Sequence, residues 1–151
     1  MTPGVRLGVD VGEVRVGVAI SDPDGLVAAP LTTLPRDRNP GKDAIPSDMS
    51  ELARLAADRG TVEVVVGLPV TLAGTEGPAA AQARAYADRL ALVVAPVPVS
   101  LSDERMSTVL ATRRLSERGV RGRRQRKVVD QAAAAEILQG WLDAQRRRTT
   151  P

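Results

Sequence analysis

The chain contains no cysteine and no histidine. The first absence removes disulfides, thiolate zinc sites and cysteine nucleophiles together. The second means that any catalysis runs without imidazole as base, acid or metal ligand. Carboxylates remain, and they favour hard cations such as Mg²⁺ or Mn²⁺. Aromatic residues are almost missing as well: phenylalanine is absent, and Tyr86 and Trp141 are the only two rings of their kind. Base stacking can therefore supply little of any nucleic-acid recognition, which falls to shape and phosphate charge. Trp141 itself reads as a core residue. No apolar run approaches the roughly 20 residues of a membrane-spanning helix. Met1, Thr2, Pro3 and Gly4 lead straight into a strand pattern without the features of a signal peptide. The expectation is a cytoplasmic protein with no membrane partner.

What is present suits one folded unit. A length of 151 residues, 43% of them hydrophobic, supports a single core. The expected organisation is one domain over residues 1–145 and a basic tail over 146–151. The net charge is only +3, but it is unevenly placed. Arg121, Arg123, Arg124, Arg126 and Lys127 crowd one segment, and Arg146, Arg147 and Arg148 stand near the end. Such clusters attract polyanions, although a solvated loop and a frayed tail would look the same.

Val5, Leu7 and Val9 alternate with polar or small residues, as do Val14, Val16, Val18 and Ile20, so both runs read as strands. Gly12-Glu13 between them suits a two-residue turn, which would set Asp10 opposite Arg15 and Gly8 opposite Gly17. Two facing glycines would leave a bare patch open to another backbone or a ligand. A third strand is expected over 26–34. Asp48 followed by Glu51 resembles a capping box for a helix that Gly60 ends. Val62, Val64, Val65 and Val66 read as a strand buried on both faces. A helix over 79–92, a strand over 97–101 and helices over 106–118 and 128–143 complete the order. Hairpins first and crossover units later imply an α/β fold: a mixed five-stranded sheet, three antiparallel strands first and two parallel ones after, flanked by helices.

Three acidic places stand out. Asp10 ends the first strand inside an apolar pattern. Asp103 and Glu104 follow the 97–101 strand, where open α/β sheets tend to place their sites. Asp130 heads an apolar helical face that continues through Ala134, Ile137, Leu138 and Trp141. A buried carboxylate is costly unless compensated. A divalent cation shared among several carboxylates is one compensation, and such a site can activate water for phosphodiester hydrolysis without histidine. Ordinary alternatives are an Asp10–Arg15 pair, a helix cap at Asp103 and a first-turn acid at Asp130.

The stretch Leu7-Gly8-Val9-Asp10-Val11-Gly12, continuing through Arg15-Val16-Gly17-Val18-Ala19 to Ser21-Asp22, resembles the opening motif of the YqgF/RuvX family. The resemblance continues at Val66-Gly67-Leu68-Pro69, Gly74-Thr75-Glu76-Gly77, Asp103-Glu104-Arg105-Met106-Ser107-Thr108 and Val129-Asp130-Gln131-Ala132-Ala133-Ala134. The blocks stand in family order over almost the whole chain. The resemblance implies an RNase H-like fold and a metal-dependent nuclease, either a processor of the 5′ end of pre-16S rRNA or a Holliday-junction resolvase. It further implies that Asp10, Glu104 and Asp130 are catalytic and hold Mg²⁺ or Mn²⁺, with Asp103 in a supporting role.

With that assignment, Arg15 and Arg105 are placed to steady carboxylates or phosphate. Arg121, Arg123, Arg124, Arg126 and Lys127 are expected on the nucleic-acid backbone, giving salt-sensitive, sequence-independent affinity. The partner is pre-rRNA or a four-way DNA junction. A monomer suits trimming, and a homodimer suits symmetric cutting. Two other classes compete. The Asp-x-Gly hairpin also resembles the phosphate loop of actin- and Hsp70-like ATPases, but those need two lobes and a second phosphate loop. A non-catalytic nucleic-acid-binding module would bind without metal and cut nothing.

Overall fold

The computed structural model describes residues 1–71, 73–104 and 123–149. The order is β1 (Arg6–Val11), β2 (Arg15–Ser21), β3 (Ala28–Pro35), α1 (Ser47–Asp58), β4 (Glu63–Pro69), α2 (Pro78–Val94), β5 (Val99–Glu104) and α3 (Arg123–Thr149). The strands form one sheet in the order β3-β2-β1-β4-β5. The β1–β2 and β2–β3 pairs are antiparallel, and β1–β4 and β4–β5 are parallel. This is the mixed sheet expected from the order of turns and crossovers. The expected helix over 106–118 lies outside the described residues.

Period-two alternation divides the sheet into two faces. Leu7, Val9, Val16, Val18, Val64 and Val66 pack with Met49 and Leu52 of α1 and Leu90 of α2. On the reverse face Ala19 and Val65 meet Ala134, Leu138 and Leu142 of α3. Val64, Val65 and Val66 are all fully buried, because β4 has a helix layer on each side. Gly60 follows α1 in a left-handed conformation (φ 59°) and stops it as expected.

Several local expectations need correction. The β1–β2 register pairs Asp10 with Gly17, Gly8 with Ala19 and Val11 with Val16. The strands run one pair further than a Gly12-Glu13 turn allows, and the turn falls at Glu13-Val14. Gly12 stays on the ladder, donating its N–H to the Arg15 carbonyl at 2.9 Å, where a Cβ would sit 2.7 Å from that oxygen. Asp48 is not a cap. Pro46 holds the cap position of α1 without any side-chain bond, and Asp48 is buried at 2% exposure. The last strand reaches Glu104, so Asp103 and Glu104 lie on β5 and not beyond it. The last helix starts at Arg123 rather than 128 and continues to Thr149, so Arg146, Arg147 and Arg148 are helical. Trp141 is only half-buried, packed at the border of the core that α3 makes with the sheet.

Candidate active site

The site is built on missing side chains. Gly17 on β2, Gly8 on β1 and Gly67 on β4 stand on three neighbouring strands beneath α3. A Cβ on Gly17 would lie 2.1 Å from the Asp130 carbonyl oxygen. One on Gly8 would lie 2.7 Å from Leu138 Cβ and 3.0 Å from the Ala134 carbonyl oxygen. One on Gly67 would meet Ile137 Cδ1 at 2.7 Å and Glu104 Oε2 at 3.3 Å. The helix therefore packs closely on the sheet, with its backbone against Gly17 and Gly8 and the Ile137 side chain against Gly67. Bare glycine was expected at Gly8 and Gly17. The helix itself occupies that space.

This contact brings distant acids to one face. Asp10 is two residues from Gly8 and opposite Gly17, so it shares the α3 side of the sheet. It is 7% exposed. Asp130 arrives over Gly17 and is 6% exposed. Glu104 pairs with Pro69, two residues beyond Gly67, and so belongs to the same face. Asp103 pairs with Leu68 on the opposite side and is exposed.

Asp130 is compensated by a cation from the chain itself. Arg15 Nε donates to its Oδ2 at 2.6 Å in a partly buried ion pair. The expected alternative, Arg15 on Asp10, is replaced by Arg15 on Asp130 because the register moves Arg15 to the foot of the turn. A first-turn role in the helix dipole also fails for Asp130. Seven residues of α3 precede it, and the dipole's influence falls off within the first turn.

Among the described residues, no group of three or more acidic side chains is gathered tightly enough to enclose a metal ion. Asp10, Glu104 and Asp130 share a face without closing into a coordination shell. The donor set nevertheless fits a hard divalent cation, being carboxylate throughout.

The other expected residues divide by position. Arg105 and Arg121 lie outside the described residues. Arg123, Arg124 and Arg126 fall in the first turns of α3. Lys127 is exposed, and its carbonyl accepts a bond from Thr33 Oγ1 of β3 at 2.7 Å. The basic start of α3 therefore docks beside the β3 edge of the sheet.

A polar cluster behind the sheet had not been foreseen. Tyr86 Oη donates to Asp48 Oδ2 at 2.6 Å, and the Asp37 N–H donates to Asp48 Oδ1 at 3.2 Å. Burial, then the bond to Asp48, push the Tyr86 hydroxyl far above its ordinary range. The Arg36 guanidinium stands 5.3 Å from the centre of the Tyr86 ring and donates to the Gly12 carbonyl at 2.9 Å. The only sequence signal was a lone tyrosine in an alanine-rich helix, which does not name a partner.

Residues 4–144 match the RuvX family, described as Holliday junction resolvase. The chain belongs to the RuvX family. A relative from Rhodococcus erythropolis, named "Putative pre-16S rRNA nuclease", is 52% identical over 148 residues, covering 98% of this chain and 82% of its own length. One of the same name from Kineococcus radiotolerans is 54% identical over 151 residues, covering 100% of this chain and 78% of its own. Among solved structures, Thermus thermophilus RuvC in complex with a Holliday junction substrate aligns with a TM-score of 0.54 at 16% identity, over 95% of this chain and 96% of that one. At that identity the likeness concerns the fold, which is of the RNase H-like kind. The expected family and fold are both borne out. Among the described residues, no helix is long and apolar enough to cross a membrane.

Proposed function

We propose that this RuvX-family chain is a metal-dependent endonuclease that hydrolyses phosphodiester bonds in structured nucleic acid, with the 5′ end of pre-16S rRNA as its substrate. One observation carries the reading. The glycine floor lets Asp130 of α3 rest against β2 opposite Asp10, on the face that also bears Glu104. Family membership and the name shared by its relatives support the activity and the substrate class.

Asp10, Glu104 and Asp130 are the residues that would hold Mg²⁺ or Mn²⁺. Such an ion supplies activated water and charge stabilisation at the phosphate. The chain's own part is to position and to neutralise. β1 and α3 hold two of the acids at fixed backbone positions, and Arg15 orients the nearly buried Asp130 through their ion pair. Arg105, Arg121, Arg123, Arg124, Arg126 and Lys127 serve as the phosphate-contacting set. The proposed location is the cytoplasm, and the working unit for trimming is a monomer. The likeness to RuvC keeps a four-way DNA junction, cut by a homodimer, as the second substrate.

A cleavage panel in Mn²⁺ tests the proposal, comparing a pre-rRNA 5′ leader with a four-way DNA junction. Cutting of the leader is expected. Cutting of the junction alone would transfer the activity to branched DNA, and cutting of neither would leave a binding module. Asp10→Asn should abolish cleavage while preserving folding and binding. An Asp10→Asn chain that cuts as well as wild type sinks the assignment of the acids.

A further inference from the structure

We infer that the cleft between β5 and the C-terminal half of α3 binds an unpaired strand of nucleic acid and leads it away from Glu104. The inference rests on the nuclease reading and adds a substrate path to it. The cleft is a cavity of about 520 Å³ lined by Ser102, Glu104, Gly140, Trp141, Arg147 and Arg148, among others. It opens beside the edge strand of the sheet. A second cavity of about 410 Å³ continues it, sharing Trp141 and Arg148 and reaching Ser100. One end is acidic and belongs to the proposed catalytic face. The other is basic. Ile137 packs over Gly67 beside Glu104, and Arg147 stands ten residues further along α3, a rise of about 15 Å.

The three consecutive arginines of α3 are not equivalent. Arg146 is engaged elsewhere, donating to the Gly25 carbonyl between β2 and β3 at 2.5 Å and pairing with Asp143. Arg147 and Arg148 are exposed and line the cleft. Two guanidiniums at the far end of a narrow trough suit successive phosphates of a strand. A cavity of this volume takes a molecule of about nucleotide size, and a base-paired duplex is too broad to enter it.

Trp141 gives the trough an aromatic wall. The Arg6 guanidinium lies 5.4 Å from its ring centre. Arg6 is itself fixed by Glu63 and by the carbonyls of Thr2 and Gly4. A pinned indole beside a basic path is the arrangement on which an unpaired base stacks without regard to sequence.

Gly140 is the second, independent observation. Glycine is unfavourable inside a helix, and Gly8, Gly17 and Gly67 are each explained by an atom pressed against them. A Cβ at Gly140 would meet nothing within 4 Å. What glycine does leave there is open volume in the cleft.

Trp141 is the sole tryptophan, so its fluorescence reports on the cleft directly. The whole chain, without divalent cations, is titrated with a short oligothymidylate and with a blunt DNA duplex of the same length. The single strand should quench Trp141 and bind more tightly than the duplex. Gly140→Leu should weaken the single strand at least about tenfold, the equivalent of one lost stacked base, with thermal stability unchanged or raised. Arg147→Gln with Arg148→Gln, which leaves the shape of the cleft alone, should flatten the log–log salt slope by about 1.4, or roughly 0.7 for each phosphate. Absence of quenching, tighter binding of the duplex, or wild-type affinity and slope in these variants would overturn the inference. Asp10→Asn should bind oligothymidylate as the wild type does, so that losing the path and losing the cut are read separately.

Discussion

The two faces of the sheet use opposite means to hold a helix. Behind the sheet, α1 and α2 meet a wall of valine and leucine, and the contact is interdigitated side chains. In front, α3 meets glycine as well as Ala19 and Val65, and at Gly17 and Gly8 the backbone of the helix itself comes down on the sheet. The first arrangement yields apolar burial, which is non-directional and tolerant of small adjustments in position. The second leaves no room for a Cβ between sheet and helix and brings Asp130 down onto Gly17. The carboxylates proposed to act together are carried on or against the second face.

The comparison can be broken by substitutions on either side. The largest effect on stability is expected behind the sheet, where Leu52→Ala removes a fully buried side chain. A loss of about 2–5 kcal/mol in urea unfolding should follow, while the chain that remains folded cuts at the wild-type rate. A fall in the turnover of folded Leu52→Ala would show that the faces are not separable. Gly17→Ala should cost less, about 1–3 kcal/mol for overpacking, yet silence cleavage, because the new methyl group displaces the Asp130 backbone. Full activity in Gly17→Ala would remove the glycine floor from the mechanism. The smallest effect is expected for Tyr86→Phe, about 1 kcal/mol for one hydrogen bond to a buried carboxylate that keeps its Asp37 N–H donor. In that variant, unchanged stability would show that the hydroxyl bond contributes nothing net.

Much of this was legible in the residues, for identifiable reasons. Turn signals and alternating valines disclosed the strand order, because period two and short hairpins are local properties. Asp10 stood out because it lies inside an apolar strand pattern, Glu104 because it follows a strand at the edge where open α/β sheets place their sites, and Asp130 because it heads an apolar helical face. What failed depended on contacts across the fold. The hairpin register turned on whether Gly12 could close against Arg15, and local turn chemistry did not decide that. The arginine-rich stretch before Val128 looked like a loop, yet helix α3 runs through it. Asp48 matched a capping pattern until Tyr86, thirty-eight residues away, took its carboxylate. The Arg15–Asp130 pair spans 115 residues, and no spacing rule reaches that far.

Arg36 touches both territories at once, with its guanidinium against the ring of Tyr86 and its Nη1 on the carbonyl of Gly12. The hairpin that carries Asp10 and Arg15 is thereby tethered to the rear of the molecule, together with the Arg36 N–H on the Val14 carbonyl and the Arg38 guanidinium on the Glu13 carbonyl. Changes near the α1–α2 seam can thus retune the front through the tilt of that turn, without touching an acid or a phosphate. A search for variants with altered cutting should include the rear.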